Sequence, residues 1–272
     1  MKYFYKQIAK VSLLIVVLAL NTSCDFLGFR FEKPSGKKIV KEYHSNGKIK
    51  SVNEVEGDLR DGLCKYYDEN GTLISTIEFK ENKYHGKYIK YYDGKHKMRE
   101  ATYVNHKKQG STYIYDKKGI LIVEENYEND ELNGIKRKYY LNGKLKMENE
   151  YKDGRPSVNL KEYDMKGNLV TDYPEIIIEA VDRLAINNKY LLKFYFSNKS
   201  RTAEFYLGEL EDNKYIPANL IAIETQNGVG TYEVWVPKGS LIMKEISVIG
   251  KKKTTENNTY ITTKKYNLAV KN

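Results

Sequence analysis

Four histidines, two cysteines and 36 carboxylates are the side chains here that could shuttle protons, attack carbon or hold a metal. Their spacing argues against all three. His44 precedes an Asn46-Gly47 pair, His85 sits beside Gly86, and His96 and His106 fall in other turn-like stretches. A metal array or a catalytic histidine needs partners at fixed offsets, so these four read as surface turn residues. Cys64 lies in the strand-like run Leu63-Cys64-Lys65-Tyr66-Tyr67, with nothing beside it that would activate a thiol. The adjacent carboxylates Glu124 and Glu125 stand apart from any apolar cleft, and a glycosidase-type pair would have to come from distant strands. Gly-x-Ser-x-Gly, a phosphate-binding loop, His-Glu-x-x-His and paired zinc-type cysteines are all missing from the sequence. A non-enzymatic chain without cofactor or metal is the expectation.

The remaining cysteine has a different context. Lys2, Lys6 and Lys10 open the chain, Val11 to Leu20 is apolar apart from Ser12, and Thr22 and Ser23 lead to Cys24. That is the layout of a secretory leader, and its apolar core is too short for a comfortable membrane span of about 20 residues. Leu20-Asn21-Thr22-Ser23-Cys24 resembles the lipobox of bacterial lipoproteins, departing from it at Asn21, where an aliphatic residue is usual. The resemblance implies cleavage after residue 23 and acylation of Cys24. Residues 1–23 are then a signal peptide and 24–37 a lipid-tethered linker. The protein would be anchored in the bacterial cell envelope, on the periplasmic side or the cell surface.

The formal net charge of +10 falls to +7 once Lys2, Lys6 and Lys10 leave with the leader. Lysines alternate with glutamates rather than cluster, which describes a solvated strand face. The excess favours anionic lipid or an acidic partner. An exported chain with no nucleic-acid module is not expected to bind nucleic acid. Aromatic and β-branched residues run the whole length, so order is expected except near 25–37 and 251–258.

A 24-residue beat organises residues 38–172. Tyr43, Tyr67, Tyr91, Tyr115, Tyr139 and Tyr163 keep it, as do Gly47, Gly71, Gly119, Gly143 and Gly167, with Gly94 one place early. Gly62, Gly86, Gly110 and Gly134 form a second set marking the far end of each unit, and Phe79, Tyr103, Tyr127 and Tyr151 a third. A fixed period of this length marks a repeat array, which makes an extended surface rather than a pocket. The Asn-Gly pairs at 46–47, 70–71 and 142–143, with Asp93-Gly94, signal hairpins closed by tight primed turns. Alternating Leu73, Ile77 and Phe79, or Leu121, Val123 and Tyr127, give strands with one inward face. Each unit is two antiparallel strands. Successive hairpins pair edge to edge, so five to six units extend about 50 Å. The recurrent tyrosines and phenylalanines are expected to form cross-strand ladders.

The pattern Tyr-Tyr-x-x-Asn-Gly-x-Leu, then Tyr, then a closing Gly, as in Tyr139-Tyr140-Leu141-Asn142-Gly143-Lys144-Leu145 through Tyr151 to Gly154, resembles the shorter bacterial variant of the MORN repeat. The resemblance covers 41–172. It slips in Tyr91-Tyr92-Asp93-Gly94-Lys95-His96 and ends in a Pro156-containing unit suited to a terminal cap. It implies an elongated antiparallel sheet used for association with protein or membrane lipid. Bacterial members often carry an antitoxin-like label, and that implies a cytosolic partner at odds with an export signal.

After Tyr173-Pro174 the beat stops. Seven strand-like runs follow: Ile176–Val181, Tyr190–Ser197, Ala203–Leu210, Tyr215–Thr225, Gly230–Val236, Ile242–Gly250 and Tyr260–Val270. That count argues for an immunoglobulin-like β-sandwich over 173–272, without the cysteine pair of an antibody domain. Tyr190, Leu192, Phe194 and Phe196 are its core candidates. Trp235 reads as a core or half-buried residue, with exposed carbohydrate or protein contact as the alternative. The whole is therefore all-β. Its expected role is that of a protein-binding scaffold whose partner and binding residues the sequence does not name. Association with lipid or envelope glycan, and antitoxin-like neutralisation of a partner, are the alternatives.

Overall fold

The computed structural model describes residues 36–272, so the leader, Cys24 and most of the linker lie outside the described residues. The repeat region is one antiparallel sheet in sequence order. Its strands are β1 Lys38–Tyr43, β2 Ile49–Glu56, β3 Leu59–Tyr67, β4 Leu73–Lys80, β5 Lys83–Tyr91, β6 Lys97–Val104, β7 Lys107–Lys108, β8 Gly110–Tyr115, β9 Leu121–Glu128, β10 Glu131–Leu132, β11 Gly134–Tyr139, β12 Leu145–Lys152, β13 Arg155–Pro156 and β14 Lys161–Glu162. The long strands pair in sequence order, with β7, β10 and β14 as short additions on β6, β9 and β12, and among the described residues no second layer of strands belongs to this sheet.

Two turn families alternate, and the primed ones are not where the Asn-Gly pairs suggest. Tyr43 pairs with Ile49 and Tyr67 with Leu73, leaving five-residue connections. Gly47 N–H donates to the His44 carbonyl and Gly71 N–H to that of Asp68, which closes an ordinary turn. Only the glycine then takes positive φ, +80° at Gly47 and +86° at Gly71, while Asn46 and Asn70 do not. Gly94 keeps the five-residue length and moves one place within it, since Tyr91 still pairs with Lys97. The two-residue primed turns lie at the other end, at Glu81-Asn82, Asn105-His106 and Asn129-Asp130. Both residues of each have positive φ. Every such turn clamps the one before it. Asn82, His106 and Asp130 donate their N–H to the carbonyls of Arg60, Tyr84 and Lys108, and their side chains accept the N–H of those same residues at 2.7–3.3 Å.

The second glycine set does not close units; it sits at bulges, inside β3 and β5 at Gly62 and Gly86 and at the first residue of β8 and β11 at Gly110 and Gly134. Asn53 pairs with Cys64 and Val55 with Arg60, so Asp61-Gly62-Leu63 stands opposite Glu54 alone. The Glu54 carboxylate then accepts the Leu63 N–H at 3.1 Å, and Glu78 does the same for Lys87 at 2.8 Å. A Cβ on Gly86, whose φ is +112°, would lie 2.0 Å from Glu78 Oε2. On its other side each of these glycines faces an aromatic residue: Gly62 Phe79, Gly86 Tyr103, Gly110 Tyr127 and Gly134 Tyr151. The second and third periodic sets of the sequence are thus cross-strand partners, a ring covering the bare backbone.

Two four-stranded antiparallel sheets follow: β15 Ile176–Arg183, β16 Lys189–Phe196, β20 Val229–Trp235 and β19 Thr225–Gln226; and β18 Ala222–Ile223, β17 Glu204–Leu207, β21 Leu241–Lys253 and β22 Thr259–Lys271. Taking β18 and β19 as one strand that changes sheet, the orders are first-second-fifth-fourth and fourth-third-sixth-seventh. That is the immunoglobulin-like arrangement. Leu192, Phe194 and Phe196 are fully buried with Phe205, Val234, Val236 and Val248, and Tyr190 packs at the margin. Two expectations fail here. Tyr215–Thr225 is not one strand; Tyr215 makes isolated bridges to Ser157 and Glu211, and Pro217, which has no N–H to give a ladder, follows. Residues 251–258 are ordered, ending β21 and turning at Thr254–Asn258, because this hairpin tip docks on the array.

Gly86→Ala should cost about 1–3 kcal/mol, from the positive φ and the displaced Glu78 carboxylate. Gly119→Ala, at φ +81° with open space around it, should cost less. Urea unfolding of the two variants measures the difference.

Candidate binding surfaces

Register divides the array into two unlike faces. Ser51, Asn53, Val55, Cys64, Ile77, Phe79, Ala101, Thr112, Glu125, Met147 and Asn149 are buried on one. The other carries cross-strand ion pairs, Arg137 with Glu148 at 2.8 Å and Glu124 at 3.4 Å, and Lys87 with Glu100. Glu124 and Glu125 therefore point to opposite faces. Glu125 is held by Lys136 at 2.7 Å and by the Tyr127 hydroxyl. Burial, with the hydrogen bond to Glu125, pushes the Tyr127 phenol up to about 12.

The beat tyrosines do not build the aromatic ladder. Tyr43 is exposed, and Tyr67, Tyr91, Tyr115, Tyr139 and Tyr163 are half-buried at the hairpin shoulders, where the register shifts. Tyr139 donates its hydroxyl to Glu124 at 3.0 Å, and three others supply backbone. The carbonyls of Tyr67, Tyr115 and Tyr163 accept from His44 Nε2, the Tyr92 hydroxyl and the Tyr140 hydroxyl at 2.8–3.0 Å. Asp68, Asp116 and Asp164 occupy the alternate places and accept N–H groups of their own turns. These turns consequently stack in twos, a 48-residue period hidden under the 24-residue one.

The ladder proper lies on the buried face. Tyr84 meets Phe79 at 5.1 Å, Tyr103 at 5.7 Å and His106 at 5.1 Å, and Tyr88 meets Tyr103 at 6.1 Å. Arg60 lies 4.3 Å over the Phe79 ring and Lys108 4.5 Å over Tyr127. Sequence reasoning missed Tyr84 and Tyr88 because neither recurs at the beat. Cys64 is sealed beneath this face, and burial raises its thiol pKa, which makes it a poor nucleophile. His44, His85, His96 and His106 share no partner, His96 pairing with Asp93 at 2.8 Å. Among the described residues no three or more His, Cys, Asp or Glu side chains converge as metal ligands would. A cavity of about 630 Å³ opens beside Glu148, Glu150 and Lys161, but Arg137 and Lys214 already hold its carboxylates.

Array and sandwich meet through a dense polar joint. Val158 N–H donates to the Lys214 carbonyl, Arg155 binds Glu211 at 2.6 Å, and Lys152 binds Glu211 and Asp212 at 2.9 Å. Buried Glu162 accepts from Asn258, Thr254 and Tyr173, whose ring stacks on Tyr260 at 4.7 Å. At the pole away from this joint Val236 N–H bonds Asn188, and Asn272 bonds Asn188 and Val236. There Ile186, Trp235, Leu241 and Met243 are exposed. Trp235 is 63% exposed, not core, because it alternates with inward Val234 and Val236. The strand's two-residue period, counted from those valines, carries that signal.

The family model described as MORN repeat variant matches residues 38–54, 60–81 and 132–153. Those three stretches of the array are similar to MORN-variant repeats. The matched stretches hold β1 with β2, β3 with β4, and β11 with β12; the unmatched middle keeps the same pairings through the displaced Gly94 and the bulge at Gln109. No curated protein matches the chain.

Two measurements check these surfaces. As the sole tryptophan, Trp235 should emit at the water-exposed end of the tryptophan range and be fully quenched by acrylamide. Arg155 and Lys152 hold the Glu211 carboxyl down from 4.5 to about 2. A carboxyl depressed on folding stabilises above its unfolded value, so this contribution is complete above pH 4.5 and lost as pH falls through about 2. The protection factor of the Val158 amide should fall over that window, and Arg155→Ala should lower it already at neutral pH.

Proposed function

We propose that this chain is a non-enzymatic, protein-binding scaffold, held at a bacterial envelope membrane by a lipid on Cys24, whose recognition surface is the aromatic face of its MORN-variant array. The observation that supports this most is the cluster around Tyr84. Rings at edge-to-face distances and cations lying on rings are the residue types that anchor protein interfaces, and Tyr84 keeps a third of its surface in contact with solvent. β1 adds an edge. Its six residues are exposed, Ile39, Val40 and Tyr43 among them, and its outer side pairs with no strand among the described residues. Such an edge accepts a strand from a partner.

A second reading, lipid association, has its own support in the distal pole, where exposed Trp235 and Leu241 pair across strands with Lys189 and Lys271, and Ile186 is exposed as well. Salt separates the two. Crosslinked capture from envelope fractions with the wild-type chain should recover one discrete protein, retained in high salt and lost in Tyr84→Ala; lipid-headgroup binding collapses as ionic strength rises. Recovery of lipid alone, sensitive to salt and to Trp235→Ala, would favour the second reading. Cys24→Ser should move the protein from the membrane to the soluble fraction and abolish palmitate labelling.

A further inference from the structure

At the start of the array, where among the described residues no earlier strand covers the buried face, a cavity of about 360 Å³ is lined by Val40, Glu42, Asn53, Val55, Arg60 and Tyr66 among others. Asn53 is 6% exposed, and its side-chain oxygen has no hydrogen-bond partner among the described residues. Its orientation is fixed by neighbours. Ser51 donates its hydroxyl to Glu42 and so must accept, which turns the Asn53 NH₂ toward Ser51 at 2.8 Å and leaves the oxygen for something else. A buried acceptor without a donor costs about 1–3 kcal/mol, and the units that follow avoid it. The same place holds Ile77 in the second unit and Ala101 in the third; in the fourth it holds Glu125, bound by Lys136 and Tyr127. In the fifth it holds Asn149, whose oxygen takes the Ser157 hydroxyl at 2.8 Å and the Glu150 N–H. The fold thus shows within itself what an asparagine at this place accepts: a hydroxyl or an amide.

The rest of the cavity narrows the ligand. Arg60 donates to the Tyr66 hydroxyl through Nη1 and to Asn82 through Nε, which holds the guanidinium in place with Nη2 still available. Donors from Arg60 and acceptors on Asn53 and Glu42 therefore line one space, which suits groups that both give and take hydrogen bonds, namely hydroxyls. Val40 and Val55 supply an apolar wall. Glu42 and Asp58 are offset by Arg60 and by Lys38 on the same face of β1, so neither an anion nor a cation is favoured. The volume falls in the range of small-molecule sites. We infer that this cavity binds a neutral saccharide unit, its hydroxyls on Asn53, Glu42 and Arg60 and its C–H face on Val40 and Val55. The inference goes beyond the protein-binding reading and does not depend on it.

The test is an NMR titration of the full-length protein with N-acetylglucosamine, glucose and their β-linked disaccharides, following the Asn53 side-chain amide and the Arg60 Nε–H. Saturable shifts at both groups are expected, with a Kd of about 1 mM or tighter. Asn53→Ile, which installs the residue found at this place in the next unit, should fold and bind about tenfold more weakly or not at all. Arg60→Leu, the residue type at the equivalent Leu132, gives a second variant with the same expected loss. The inference is overturned if no saccharide shifts these signals, if Asn53→Ile binds as well as the wild type, or if glycine amide or acetate shifts them as strongly.

Discussion

A sheet one layer thick has no opposite layer to bury its face against, and everything about this array follows from that constraint. Burial has to come sideways, from the next hairpin. Two-strand hairpins alone are marginal in water, so each unit is stable only through its neighbours. The structure shows three such couplings, each at a different height of the sheet. Mid-strand, the bulge glycine of one strand lies against the ring of the next, as at Gly86 and Tyr103. At one rim the primed turns clamp their predecessors through Asn82, His106 and Asp130. At the other rim the five-residue turns stack in pairs through His44, Tyr92 and Tyr140.

Sideways burial leaves two ends unlike the middle. The later end is closed by the sandwich, where Glu162, Arg155 and Ser157 meet Asn258, Glu211 and Tyr215. β1 at the other end has no such cover among the described residues, and there Asn53 keeps an oxygen without a partner, whereas the polar residues at the same place in later units, Glu125 and Asn149, are bound. The surfaces proposed for recognition accordingly lie at places the repeat rule does not dictate. These are the start of the array, the off-beat Tyr84, and the outward side of Trp235.

Much of the fold was legible because its cause is local. Glycine, asparagine and aspartate at fixed offsets announce turns, and period-two alternation announces strands. Those signals placed the hairpins, their order and the all-β sandwich with its Leu192-Phe194-Phe196 face. What escaped is non-local. The Asn-Gly pair at 227–228 does form the primed turn its sequence suggests, both residues taking positive φ, whereas Asn46-Gly47 does not. Strand pairing at Tyr43 and Ile49 sets a five-residue connection there, and the dipeptide alone cannot reveal that. The second glycine set looked like punctuation because its partners, Glu54 and Glu78, reach it only across a strand. Tyr215–Thr225 was misread as a strand because its first half is used to dock the array.

The measurement that tests sideways burial most directly is native-state hydrogen exchange resolved along the repeats. If each unit is held only by its neighbours and the sandwich closes one end, protection should decline stepwise from β12 toward β1. Disrupting the joint with Arg155→Ala should lower protection most in β12 and progressively less in earlier strands. Uniform protection across all units, lost together in that variant, would contradict the account by showing that the array unfolds as a single block.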